Sequence, residues 1–490
     1  MNYRLLSHIF GIVVLLISAG MLICFGYASW EKSEGIENHG ATALGISAAI
    51  TAGAGIILLL TGIGAGRDVL RKEAVVVVGG GWIVAAVFGT LPYLLCNPGL
   101  SVDKALFESM SGFTTTGSTV IADLDVFPRA ILLWRSLTQW FGGLGILVLF
   151  VALLSHLGVG AKSFFRLESS ARVGESTGAR IKDSAILFCA VYLTLSLVAF
   201  GGLVALKLSP FDAANHAMTT VATGGFSTHN ESIAYFDSFG VEAFLTVMMI
   251  LSSLSFFLYA ALVRRDWPRL KVEEEGKFFL GIIAVSIIFV IFNLTVESHH
   301  YPTIGSAFRA TLFQVASIGT TTGFVSQDYD TWPGFSMALL LILMIFGGCA
   351  GSTAGGFKIS RVILFFRIAR QEIIASFRPK QVFALKLNGT PADEAARAIP
   401  VYVAMFAILI PLGTLLLALL EPSQDFDTCL SATLATIFNI GPGFGAVGPT
   451  DTYAIFNAPA CLVMTLLMAL GRLELFAILV LFVPSLWRKF

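Results

Sequence analysis

The chain has 490 residues, is 56% hydrophobic and only 13% charged, and has a mean hydropathy of +0.83, whereas soluble domains run at about 25% charged. Basic and acidic residues balance at 31 each, so no polyanionic partner such as nucleic acid is implied. These values exclude a soluble globular fold and predict an all-α polytopic membrane protein with lipid as a solvent.

Two apolar runs come first, at residues 5–30 and 41–66, each long enough to span. The first lacks a small-residue cleavage site and is followed by the second, so it reads as a retained helix. A pattern then begins: a spanning run, a run of about 12 residues, a second spanning run. The four copies are 74–96, 104–116 and 130–157; 184–206, 212–223 and 241–263; 278–296, 306–322 and 335–366; 398–420, 428–440 and 454–484. The middle runs are too short to cross and suit re-entrant half-helices. This predicts residues 1–72 as two extra N-terminal helices and pore repeats at 73–160, 161–266, 267–378 and 379–490.

The ends of the short runs read FESMSGFTTTGST, NHAMTTVATGGFST, QVASIGTTTGFVS and ATIFNIGPGFGAVG, with glycines at Gly117, Gly224, Gly323 and Gly441. Their spacings of 107, 99 and 118 residues mark internal repetition. Two spans plus a re-entrant piece per unit keep all copies parallel, so four can surround one axis. Glycine lets consecutive carbonyls face that axis, and threonine adds hydroxyls. A half-helix ending there points its partly negative C-terminus at the cage. Such an arrangement coordinates a dehydrated cation, as carbonyl rings do in potassium channels.

The basic residues Arg4, Arg67, Arg71, Lys72, Lys162, Arg166, Arg172, Arg180, Lys182, Arg264, Arg265, Arg269, Lys271, Lys277, Arg378, Lys380, Lys386, Arg397, Arg488 and Lys489 fall on one side, which is therefore cytoplasmic and holds both termini. The opposite side carries the half-helices and the acids Asp103, Glu108, Asp123, Asp125, Asp212, Glu231, Asp328, Asp330, Asp425, Asp427 and Asp451, an acidic mouth that raises local cation concentration.

In the third repeat the sequence GGCAGSTAGGFK, residues 347–358, interrupts an apolar run. A glycine costs a helix interior ~1 kcal/mol relative to alanine, so this segment should leave the helix. Non-helical backbone at membrane depth survives only in protein or beside a watery cavity. Arg472 in MALGRLELF sits in a spanning run, where an unpaired arginine costs at least ~2.5 kcal/mol. Glu474 is two residues away and does not face it on a helix. The freed carbonyls of Gly347, Gly348, Gly351, Gly355 and Gly356, up to Lys358, can accept its donors, which places loop and arginine together as a gate.

Other readings fit less well. The glycine run lacks the strand and GK[ST] ending of a phosphate loop. His216, His229, His299 and His300 show no metal spacing and read as solvated or capping residues. The scattered cysteines form no CxxC and read as buried apolar residues. No nucleophile–base pair suggests an enzyme. A secondary cation symporter working by alternating access, coupling potassium to protons or sodium, predicts inverted repeats and intramembrane carboxylates. A voltage-gated channel needs an arginine-rich span.

On these motifs the chain resembles the TrkH/KtrB/HKT superfamily of potassium transporters, and within it the bacterial TrkH type, over nearly its whole length. The resemblance implies a potassium-binding filter at Thr115, Thr116 and Gly117, at Ala222, Thr223 and Gly224, at Thr321, Thr322 and Gly323, and at Asn439, Ile440 and Gly441. Glycine at all four positions implies potassium over sodium. It further implies a gate at the 347–356 loop with Arg472, a homodimer in the bacterial inner membrane, and a cytosolic TrkA-like nucleotide-binding regulatory subunit. Potassium is then the substrate and no cofactor is expected.

Overall fold

The computed structural model describes residues 1–33, 40–64, 71–157, 178–298, 300–379, 384–473 and 475–487. Helices α1 (Tyr3–Ser33) and α2 (Gly40–Thr61) pack along each other. A Cβ built on Gly11 would lie 2.9 Å from the Gly55 carbonyl oxygen, so small residues set this close contact.

The first repeat holds α3 (Arg71–Gly89) with a short continuation α4 (Leu91–Leu95), the half-helix α5 (Val102–Phe113) and α6 (Arg129–Leu157). The second holds α7 (Gly178–Ala205), half-helix α8 (Pro210–Val221), and a broken pair α9 (Phe239–Ser253) and α10 (Phe256–Val263). After the short α11 (Trp267–Val272) come α12 (Glu275–Phe292), half-helix α13 (Ile304–Gly319), α14 (Gly334–Ile345) and α15 (Ile359–Ala375). A two-stranded hairpin, Lys386–Leu387 with Thr390–Pro391, turns at Asn388 and Gly389, both at positive φ as a tight Asn-Gly turn requires. The fourth repeat is α16 (Asp393–Leu420), half-helix α17 (Phe426–Ile437), α18 (Ala458–Arg472) and α19 (Phe476–Leu479).

Among the described residues six stretches are long and apolar enough to cross a membrane: Tyr3–Glu31, Gly40–Thr61, Val75–Leu95, Ile186–Ala205, Glu275–Val296 and Ala396–Leu420. Two bent pairs reach that standard jointly. The chain is a polytopic all-α membrane protein. The half-helices have 12, 12, 16 and 12 residues and are enclosed by these spans, which buries even their polar residues, among them Glu108, Asn215, Gln314 and Thr433.

Three expected spans are not continuous. Residues 241–263 bend by 89° between Ser253 and Phe256. Residues 454–484 bend after Arg472, where Leu475 takes a φ of +64°. In α6, Gly145 is non-helical at φ +67°. Several expectations lie outside the described residues: the basic positions Arg67, Lys162, Arg166, Arg172, Lys380, Arg488 and Lys489, together with His299 and Glu474.

Candidate functional site

All four half-helices end the same way. Past their last residues, Phe113, Val221, Gly319 and Ile437, the next residue but one is left-handed: Thr115 (φ +52°), Thr223 (+52°), Thr321 (+58°) and Asn439 (+56°). Each such non-glycine position costs about 1–2 kcal/mol, and a strained conformation kept four times is what a functional constraint produces. Two residues further, Gly117, Gly225, Gly323 and Gly441 all have positive φ, from +76° to +110°. The same backbone bonds recur, Thr116 N–H to Ser111, Gly224 to Thr219, Thr322 to Ser317 and Ile440 to Ala435.

This register corrects the second repeat by one residue. The segment equivalent to Thr115-Thr116-Gly117 is Thr223-Gly224-Gly225, and Ala222 is only the cap of α8. Two adjacent glycines satisfy the sequence pattern equally, and only the backbone angle separates them.

The four segments close on one another. A Cβ on Gly117 would lie 2.1 Å from Gly224 O, on Gly225 1.9 Å from Thr322 O, on Gly323 2.0 Å from Ile440 O, and on Gly441 3.0 Å from Thr116 O. The cycle runs from repeat one to two, three, four and back to one. No side chain fits at three of these positions, and the segments therefore surround one axis. The C-terminal ends of the four half-helices converge on it with their partial negative charge.

Side chains behind the ring hold it. Glu108, His216 and Gln314 occupy equivalent positions on their half-helices and reach the outer ends of their own segments. Glu108 accepts from Thr119 Oγ1 (3.0 Å) and Val120 N (3.0 Å), His216 Nε2 meets Ser227 Oγ (3.0 Å), and Gln314 Nε2 donates to Gln327 O (3.1 Å). Glu108 and His216 are therefore not what their sequence positions suggest. Glu108 is fully buried and paired with Arg135 at 2.8 Å, so it adds nothing to an acidic mouth, and His216 is fully buried rather than solvated. On the face that carries the loops after the ring segments, burial pushes the Asp330 carboxyl up to about 6, against the Gly445 N–H it accepts and helped by Asp328 and Asp451. This carboxyl thus loses its negative charge in mild acid.

Asn439, in the most divergent copy, takes the same left-handed angle as the three threonines and suits it better than a β-branched residue does. Its amide donates to Thr116 Oγ1 (2.9 Å) and Met468 O (3.0 Å), tying repeat four to repeat one. Ile440 and Pro442 fit the common backbone.

The glycine-rich loop, residues 346–358, leaves the helix and lies directly beneath the ring. Gly355 N donates to Thr321 Oγ1 (2.7 Å) and Gly356 N to Phe438 O (2.9 Å). Gly347 N bonds Phe357 O (3.0 Å), and Ile359 N bonds Gly348 O (3.2 Å), closing the loop at its base. Lys358 Nζ bonds Ala354 O. The break between α9 and α10 receives the far side of the loop: Cys349 N donates to Ser253 O (2.9 Å), Thr353 Oγ1 to Ser252 O (3.1 Å), and Gly351 O accepts from Phe256 N (2.9 Å). The groups freed by the bend are those the loop satisfies. Arg472 spans the arrangement: Nη1 donates to Thr353 O (2.9 Å) and Nη2 to Gly142 O of α6 (3.1 Å), with its guanidinium carbon 5.9 Å from the Trp82 ring.

Sequence reasoning missed Arg135 and Gln139 of α6, both fully buried against the second segment. An arginine inside a spanning run, as at Arg472, was the available signal. No cluster of three or more metal-ligating His, Cys, Asp or Glu occurs among the described residues.

Comparison with known proteins fits this geometry. A family model described as TrkH, cation transport protein, matches residues 66–489. Curated relatives include the Trk system potassium uptake protein TrkH of Halomonas elongata, 34% identical over the whole of both chains, and that of Escherichia coli, 33% identical over the whole of both. The TrkH of Vibrio parahaemolyticus is 36% identical over 83% of this chain and 84% of its own. The crystal structure of the potassium transporter TrkH from Vibrio parahaemolyticus superposes over the whole of both chains with a TM-score of 0.87 at 31% identity. With its four-fold ring and its full-length relatives, this chain belongs to the TrkH family of cation transport proteins and is a transporter rather than an enzyme.

Proposed function

We propose that this protein takes up potassium across the bacterial inner membrane through the ring of Thr115–Gly117, Thr223–Gly225, Thr321–Gly323 and Asn439–Gly441, which acts as a selectivity filter. The closed cycle of glycine-to-carbonyl contacts carries this reading, because only backbone can occupy such a ring and its carbonyl oxygens can replace the water of a cation. The printed names of the relatives, potassium uptake proteins, support the choice of ion. The repeats are taken as 73–160, 161–266, 267–378 and 379–490, with residues 1–72 as the added N-terminal helices.

The loop of residues 347–356 is the gate, held shut by Arg472, since it lies under the ring and bonds to Thr321 of the third segment and to Phe438 next to the fourth. The basic loops face the cytoplasm with both termini. A cytosolic TrkA-like nucleotide-binding subunit regulates a homodimer from that side. Purified protein in liposomes, measured for reversal potential under potassium and sodium gradients with and without a pH gradient, tests the reading. A potassium-dependent potential that ignores the pH gradient is expected. A potential that tracks sodium equally, or one that follows the pH gradient, overturns the ion choice or the channel-like route respectively.

A further inference from the structure

The four ring segments are braced in two different ways. In repeats one and three a serine on the half-helix holds its own segment: Ser111 Oγ donates to Ser118 O (2.6 Å) and Ser317 Oγ to Phe324 O (2.7 Å). At the equivalent position repeat two has Thr219, whose hydroxyl turns back to Asn215 O (3.1 Å), and repeat four has Ala435, which has none. These two segments are held by neighbours. Gly441 O accepts from Ser118 Oγ of repeat one (2.9 Å) and from the Tyr453 phenol Oη of repeat four (2.8 Å). The second segment is held from α6 of the first repeat.

That brace has two parts, one helical turn apart. Gln139 Nε2 donates to Gly224 O (2.6 Å), while its Oε1 accepts from Phe226 N (3.1 Å). Arg135 donates to Ser227 O (3.1 Å), lies 4.1 Å over the Phe226 ring, and is fixed by Glu108 at 2.8 Å. The two amide bonds of Gln139 straddle Gly225, the ring glycine at φ +76°. They fix the peptide planes on both of its sides. All of these side chains are buried, so each bond is unscreened by water.

The middle residue of each segment explains why repeat two needs this. It is Thr116, Thr322 and Ile440 in the other three repeats, all β-branched and stiff, and Gly224 here. Two successive glycines make this the most pliable of the four segments. A Cβ on Gly224 would lie 2.4 Å from Gln139 Cδ, so the glutamine amide occupies the space that a side chain fills in the other copies. An external side chain has replaced the segment's own stiffness.

We propose that Gln139, supported by the Arg135–Glu108 pair, is a positioning residue that sets potassium-over-sodium discrimination by holding the Gly224–Gly225 segment open, an inference that rests on reading the ring as the cation filter. Without the brace the double-glycine segment can close on the smaller sodium ion.

The test compares Gln139→Met, similar in length but without the amide, with wild type in proteoliposomes, reading the potassium/sodium permeability ratio from reversal potentials and stability from thermal melting. The ratio is expected to fall at least about fivefold while potassium still permeates. Trp140→Phe, on the next residue of α6 and bonded outward to Ser196 Oγ, should leave the ratio unchanged. A folded Gln139→Met protein with the wild-type ratio overturns the proposal, as does an equal loss in Trp140→Phe. Should Gln139→Met fail to insert, Gln139→Asn, whose amide is one methylene short, is read in the same way and by the same criterion. A wild type without potassium preference overturns the filter reading itself, whereas a selective wild type with an equally selective variant overturns only the role of Gln139.

Discussion

A Cβ at Gly117 would meet the Gly224 carbonyl oxygen at 2.1 Å, and no rotamer can relieve a clash between two backbones. The left-handed angle at this position adds about 1–2 kcal/mol for any residue with a side chain. Gly117→Ser, and equally Gly225→Ser, should therefore displace a ring segment and lower the potassium/sodium permeability ratio by about tenfold, which corresponds to ~1.4 kcal/mol of discrimination. Permeability ratios unchanged from wild type in either folded variant would sink the filter assignment at that position. The prediction concerns Gly225 rather than Gly224, and the choice was beyond the sequence. TGG offers two glycines in a row, and nothing local says which one turns left-handed. Glu108 shows the same limit. Its position beside Asp103 suggests a mouth carboxylate, but its partner Arg135 lies 27 residues away on another helix. Local pattern identifies a residue type that can bind, while the partner that neutralises it is a long-range fact.

The half-helices were legible to within a few residues, because a semi-polar run of about 12 residues between two spans is too short to cross and has few other places to go. The glycine loop was legible for a similar reason: its composition cannot hold a helix. The break in the 239–263 helix was not. The stretch LSSLSFF contains neither glycine nor proline, and its bend follows from the loop that docks on Ser252, Ser253 and Phe256. Loop and break thus form one unit, and any displacement of the loop must exchange these bonds along with those to Thr321 and Phe438. Arg472 fastens the unit to α6 through Thr353 O and Gly142 O. An arginine at membrane depth stays only where its donors are met, at a cost of about 2.5–3.5 kcal/mol otherwise. Arg472→Ala, or deletion of part of the 347–356 loop, is expected to raise potassium flux severalfold, measured as rubidium or potassium uptake into proteoliposomes. If both variants fold and insert yet conduct no faster than wild type, the loop is a structural plug rather than a gate.

Across the whole molecule, some of the basic residues assigned by sequence to the cytoplasmic side serve the fold itself. Arg367 is committed internally: it donates to Glu274 Oε2 at 2.8 Å and also bonds Lys386 O of the hairpin. The hairpin in turn presents Asn388, which donates to Glu275 Oε1 (2.9 Å), and Glu275 accepts the Ala350 N–H of the glycine-rich loop (2.9 Å). A chain of contacts therefore leads from the hairpin and Arg367 to the loop under the ring. A soluble regulator bound at this surface can bias the loop only if it grips the elements around the hairpin, and like-signed loops offer it an electrostatic handle. Replacing Lys162, Arg166 and Arg172 together with Arg370 and Arg378 by neutral residues should abolish co-purification of the regulatory subunit while basal flux continues. The wild-type complex should weaken steeply between low and physiological salt, as surface charge is screened beyond about 8 Å. Arg367→Gln behaves differently: it loosens the hairpin and lowers thermal stability instead of acting through charge alone. A partner that still co-purifies after these replacements, with an affinity indifferent to salt, would place regulation elsewhere on the molecule.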